Sequence, residues 1–174
     1  MKNLPRIAFI LWCLNSLLSC LNAKSELHYF DLQKALHSEQ VKSTLPNNIE
    51  FRFGLDSGKD THIISQNLQI TKRHKRAFSN SLSVEYSCQM ALAKALVSLA
   101  KKANTLGANK VVNIIGIRKS KSAKNVFAKD FFDSKEKFEC LVRKTGSKSR
   151  VSLQADFGQD IFGQNDFDKQ DFVK

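Results

Sequence analysis

Between Ser87 and Leu106 the apolar residues Cys88, Leu92, Ala95, Leu96, Leu99, Ala103 and Leu106 recur at steps of three and four, the spacing that gathers them on one side of an α-helix. Lys94, Lys101 and Lys102 fall off that face. Ser87 is the candidate N-cap, the two late lysines suit the negative end of the helix dipole, and Gly107 supplies the left-handed residue that ends many helices. A helix with one apolar face gains most of its stability by lying on something. The segment that follows, Lys110–Arg118, is dense in β-branched residues and reads as a central strand on which the helix can lie.

Weaker strand patterns flank this pair. Ile49–Phe53 alternates apolar and charged residues before Gly54, His62–Thr71 keeps Ile64, Leu68 and Ile70 in phase, and Phe138, Cys140 and Val142 alternate with Glu139, Leu141 and Arg143. Val151–Ala155 is the candidate last strand, and Tyr29–Leu36, with Leu32, Ala35 and Leu36 on one side, reads as a short helix. The expected fold class is α+β: one long helix packed on a four- or five-stranded, largely antiparallel sheet. Phe157, Phe162, Phe167 and Phe172 recur every five residues, a period that fits neither helix nor strand, so residues 156–174 read as a mostly disordered repeat tail.

At the other end, Lys2 and Arg6 precede an uncharged apolar stretch from Ile7 to Leu21, and Ala23 offers a small residue for cleavage. Residues 1–23 therefore read as a secretory signal, leaving residues 24–155 as one domain delivered to the periplasm. Leu17-Leu18-Ser19-Cys20 also resembles a bacterial lipoprotein signal, with Cys20 as the lipidated residue of an outer-membrane lipoprotein. In both versions Cys88 and Cys140 are the cysteines left in the domain, and two thiols in an oxidising compartment are expected to pair, here stapling helix to sheet.

Removing Lys2 and Arg6 takes the formal charge from +12 to +10, so the excess of base belongs to the mature protein. Such a balance favours an acidic partner: anionic lipid, acidic glycan or the acidic surface of an envelope protein, with nucleic acid the least accessible after export. The bases cluster at Lys72–Arg76 (Lys72, Arg73, Lys75, Arg76), at Arg118–Lys124 (Arg118, Lys119, Lys121, Lys124) and at Arg143–Arg150. If these converge on one rim they make an anion-binding edge; otherwise they are solvated loops. No aromatic residues interleave with them as a single-strand nucleic-acid platform requires.

Catalytic patterns are missing from the sequence. His28, His37, His62 and His74 have no i, i+4 partner, and neither a Gly-x-Ser-x-Gly elbow nor a phosphate-cradling glycine loop occurs. The expectation is a non-enzymatic envelope protein with no cofactor or metal, against the alternatives of a small-molecule or metal-ion binding periplasmic protein and an envelope hydrolase of unrecognised type.

The run Ser87-Cys88-Gln89 through Gly107-Ala108-Asn109-Lys110-Val111-Val112-Asn113-Ile114, followed by Phe138-Glu139-Cys140, resembles a group of exported bacterial proteins often given the name "excinuclease ATPase subunit". That name implies a nucleotide site, and the sequence has no Gly-x-x-x-x-Gly-Lys-Ser/Thr motif to supply one. The same junction is similar to a small domain family named for heavy-metal binding and to the outer-membrane lipoprotein sensor of the Rcs envelope-stress phosphorelay. These resemblances imply a small α+β domain with a paired Cys88 and Cys140, and a part in envelope-stress sensing. Processing provides a first check: the intact mass of the purified mature chain is expected to start at Lys24, whereas a diacylated Cys20 would establish the lipoprotein version.

Overall fold

The computed structural model describes residues 25–75, 83–119, 129–143 and 148–160. The signal segment, Cys20, Arg76, Lys121, Lys124 and the last three phenylalanines of the repeat lie outside the described residues. The elements in chain order are β1 (Ser25–Asp31), α1 (Leu32–His37), α2 (Glu39–Lys42), β2 (Glu50–Phe53), β3 (Thr61–Lys75), α3 (Val84–Leu106), β4 (Lys110–Lys119), β5 (Lys129–Phe132), β6 (Lys137–Arg143) and β7 (Lys148–Asp160). The class is α+β, and the sheet has seven strands where four or five were expected.

Strand β7 is the axis of the sheet. Along one edge it pairs antiparallel with β3, from Lys75↔Lys148 to Thr61↔Asp160. Its other edge is shared by β6 (Leu141↔Arg150) and β4 (Leu153↔Gly116 to Gly158↔Lys110), both antiparallel. Strand β1 pairs with β6, β5 with the end of β4, and β2 with the start of β4, the last being the parallel pair in an otherwise antiparallel sheet. Gly158 is required where β7 runs close to β3, since a Cβ there would collide with Thr61 Cγ2 and the His62 carbonyl.

Helix α3 covers one face of this sheet. Its N-cap lies four residues before Ser87: Ser83 takes that place, its hydroxyl accepting from the Tyr86 N–H at 3.1 Å, with Glu85 in the first turn. Gly107 (φ 71°) ends it, and the Ala108 N–H returns to the Ala103 carbonyl at 2.9 Å. Leu92, Leu96 and Leu99 are fully buried against Val111, Ile114, Val151, Leu153 and Phe157. Ser87, freed from capping, is buried inside the helix: Ser149 Oγ donates to its carbonyl at 2.7 Å and lies 2.8 Å from its hydroxyl.

Two sequence readings change at the chain's ends. Tyr29–Asp31 belongs to strand β1 and the helix begins only at Leu32, because Asp31 caps it by accepting from the Lys34 N–H at 2.7 Å. Strand β7 runs five residues past the expected domain boundary at 155, so Asp156–Asp160 is folded sheet. Phe157 is fully buried and continues the inward alternation of Val151, Leu153 and Ala155; it serves the core and not the repeat.

Cys88 and Cys140 form a disulfide with their Cα atoms 5.8 Å apart, joining the second turn of α3 to the middle of β6. The bond closes a loop spanning 52 residues, for which chain entropy gives about 4 kcal/mol of stabilisation. Cys88→Ser and Cys140→Ser are each expected to lower the melting temperature by many degrees, the double variant being no worse than either single one. Alkylation of the denatured, unreduced protein should add no label.

Candidate functional site

Strand alternation decides what each basic cluster does. On β3, Leu68, Ile70, Lys72 and His74 turn toward α3, while Gln69, Thr71, Arg73 and Lys75 turn to the uncovered face of the sheet. The run Lys72–Lys75 is therefore strand and not loop, and it is split between two faces. On β7, Lys148, Arg150, Ser152, Gln154 and Asp156 share the uncovered face, because Ser149, Val151, Leu153, Ala155 and Phe157 are buried beneath it.

The register then matches like with like across β3 and β7: Gln69 with Gln154, Thr71 with Ser152, Arg73 with Arg150 and Lys75 with Lys148. Gln69 Nε2 donates to Gln154 Oε1 at 3.0 Å and Thr71 Oγ1 to Ser152 Oγ at 2.9 Å. The next two pairs are cation against cation, an arrangement that is unfavourable by itself. Arg143, on β6 beyond Leu141, adds a fifth cation to the same end of the face. No carboxylate of a described residue lies within 4 Å of any of these five.

The opposite end of the β3–β7 ribbon is neutralised. There Arg52 Nε lies 2.7 Å from Glu50 and its Nη1 2.6 Å from Asp60. The buried Lys110 ammonium meets Asp160 and lies 3.6 Å from Glu50. Its hydrogen bond to Asp160 raises the Lys110 pKa and holds the Asp160 carboxyl below the usual carboxylate range. Among the described residues, one end of the sheet thus pairs its charges and the other holds cations without a carboxylate partner.

Between β3, β7, β6 and the outgoing end of β4 the uncovered face sinks into a groove of about 550 Å³. Arg73 and Arg150 form one side; Leu27, Leu141 and Ile117 form the other. Arg118 also lines it, but its Nε donates to Glu139 Oε1 at 2.8 Å, and its Nη2 contacts the same oxygen and the Tyr29 hydroxyl. Glu139 is only 8% exposed, so removing Arg118 for a ligand would strand a nearly buried carboxylate. Arg118 is therefore committed to the wall of the groove, and its pKa is raised chiefly by the hydrogen bond to Glu139.

Among the other sequence candidates, Lys72 faces the helix side, beside Met90 and Lys94. His74, on the same side, sits 3.3 Å from Lys94 Nζ; burial and that neighbouring charge lower its pKa. Lys119 ends β4 beyond Arg118. Arg150 and Lys148 lay within a basic cluster of the sequence, but only the strand register brings them opposite Arg73 and Lys75.

A third feature had no clear sequence signal. Asn67 (φ 58°) and Asn113 (φ 52°) adopt left-handed conformations at irregularities of β3 and β4, on either side of β7. Asp156 joins them, accepting from the Asn67 N–H at 2.7 Å and from Asn113 Nδ2 at 2.8 Å. Asn113 also accepts from the Gly58 N–H at 3.0 Å. These bonds fix where β3 and β4 bend and hence the shape of the open face.

Among the described residues no three His, Cys, Asp or Glu side chains gather as a metal ion requires. The groove lining contains no His, Asp or Cys, and its one carboxylate is held by Arg118. Comparison of the chain with protein-family models, curated proteins and solved structures finds no match. Arg118→Gln is expected to destabilise the fold by about 1–3 kcal/mol by leaving Glu139 without its partner. Adding Glu139→Gln should recover most of the loss, as thermal or denaturant unfolding of the three variants would record.

Proposed function

We propose that this chain is a non-enzymatic envelope protein, exported to the periplasm, that binds an anionic partner on the uncovered face of its sheet. The observation that carries this reading is the set of five cations, Arg73, Lys75, Arg143, Lys148 and Arg150, gathered on one end of that face with no described carboxylate near them. Like charges directly opposite one another on a sheet cost stability, and a bound anion offsets that cost. The disulfide between Cys88 and Cys140 agrees with an oxidising compartment. A part in envelope-stress sensing, which the resemblance to the Rcs lipoprotein implies, fits a protein that registers anionic surface.

Vesicles containing phosphatidylglycerol test the reading. Binding should weaken steeply between low and physiological salt, where the Debye length shrinks to about 8 Å. Each Lys or Arg at an anionic surface contributes about 1 kcal/mol. Replacing Arg73, Lys75, Lys148 and Arg150 together by Gln should therefore reduce affinity roughly a thousand-fold. Lys72→Gln, on the helix side, should change it by no more than about threefold. Equal losses from both variants, or no binding at low salt, would reject the proposal.

A further inference from the structure

The groove has a direction that charge alone does not explain. Leu27 pairs with Leu141, Leu141 with Arg150, and Arg150 with Arg73. One straight row across β1, β6, β7 and β3 therefore runs from two leucines to two arginines. Neighbouring strands are about 4.8 Å apart, so the row spans roughly 14 Å. Ile117 of β4 extends the apolar half from the adjoining wall. Leu27 is 37% exposed, and Leu141 and Ile117 are half-buried, so this half is apolar surface in contact with water. Single exposed apolar side chains are ordinary; two leucines and an isoleucine that line one concavity, beside guanidinium groups with no described carboxylate within 4 Å, make a two-part site.

We infer that the groove takes an amphiphilic anion with one apolar chain, its carboxylate or phosphate head on Arg73 and Arg150 and its chain across Leu141 and Leu27. The inference rests on the proposed anion-binding role of this face and specifies the ligand's chemistry. Two guanidinium groups on adjacent strands match a head with two or three acceptor oxygens better than an ammonium would. Thr71 and Ser152 lie one step along the strands from that pair, but they already hydrogen-bond to each other. A long polar body would face the leucines and leave them wet. An uncharged chain would leave the arginines unpaired. The groove's volume of about 550 Å³ lies within the range of small-molecule sites, about 300–1,000 Å³.

Calorimetric titration with n-alkyl phosphates from butyl to dodecyl, each below its micelle-forming concentration, provides the test. Inorganic phosphate and an n-alkyl glucoside of matching chain serve as the two half-ligands. Each methylene that becomes buried is worth about 0.8 kcal/mol, so affinity should rise up to about fourfold per carbon until the groove is full. Arg73→Gln with Arg150→Gln should weaken every phosphate at least tenfold without changing the slope with chain length. Leu27→Ser with Leu141→Asn should flatten the slope and leave inorganic phosphate nearly unchanged; an unaltered unfolding transition would show that the variant is folded. Because Leu141 is half-buried, Leu27→Ser alone, at the more exposed position, repeats the test with less risk to the fold. Affinity for phosphates that is independent of chain length would overturn the amphiphile while leaving the anion-binding role in place. Equal affinity for the glucoside would overturn the assignment of the arginines, and failure to bind any anion would remove both readings.

Discussion

The alternation of strand β7 is the constraint on which the other elements depend. Three strands take their register from it, β3 along one edge and β6 and β4 along the other. Its odd-numbered residues from Ser149 to Phe157 go under the helix, and the even-numbered ones from Lys148 to Asp156 go to the open face. A slip of one residue would drive Arg150 into the core and lift Phe157 out of it. Two polar devices oppose the slip. Ser149 is hydrogen-bonded to Ser87 of the helix, and Asp156 holds the irregularities of both neighbouring strands through Asn67 and Asn113.

That register also produces the charge asymmetry of the sheet. Strands β3 and β7 are long, so their two ends lie far apart, and the described residues pair carboxylates with the cations of only one of them. Glu50, Asp60 and Asp160 surround Arg52 and Lys110 at the Thr61 end. At the Lys75 end, like faces like, and the repulsion of two directly opposed cation pairs is of the order of a few tenths to 1 kcal/mol each. Such a loss is small against the stability of a domain of this size, about 5–15 kcal/mol. The field it creates is not small, since same-sign charges on one surface raise the local concentration of anions and speed their encounter.

How much of this could be read from the sequence depends on whether one period dominated a segment. Helix α3 and strands β4 and β6 were legible because their apolar spacing had no competitor, and Cys88 and Cys140 fell where those periods put them on facing sides. The start of α3 was misplaced because Ser83 and Ser87 are both good caps, and only the fold shows that Ser87 is needed by Ser149. Strand β1 is hidden because Leu27 and Tyr29 lie on the open face and Phe30 faces the core, so both faces carry apolar residues and no alternation stands out. The five-residue spacing of the phenylalanines masks the two-residue alternation that ends in Phe157, and Lys72–Lys75 resembles a loop because consecutive charges hide which of them face the helix. For the site, the sequence identified Arg73, Lys75 and Arg118 as basic but could not separate free from committed cations. That distinction depends on Glu139, which meets Arg118 only through the divergence of β4 and β6 from β7.

The covalent and polar ties of α3 to the sheet bear directly on the open face. Ser87 and Cys88 are consecutive in the helix, and they hold two different strands: Ser87 binds Ser149 of β7, and Cys88 is bonded to Cys140 of β6. The residues that follow those anchors on their strands are Arg150 and Leu141, which pair with each other across β6 and β7. Each therefore projects to the open face from a backbone fixed one residue away on the covered face. The junction between the cationic and apolar halves of the row is thus tied to the core from both of its strands. A ligand lying across it meets side chains whose backbone is already ordered, so less of its binding free energy is lost to immobilising the protein. The disulfide thus does more than close a loop of the chain: it fixes β6 to α3 at the residue next to Leu141, on the strand that pairs with Arg150.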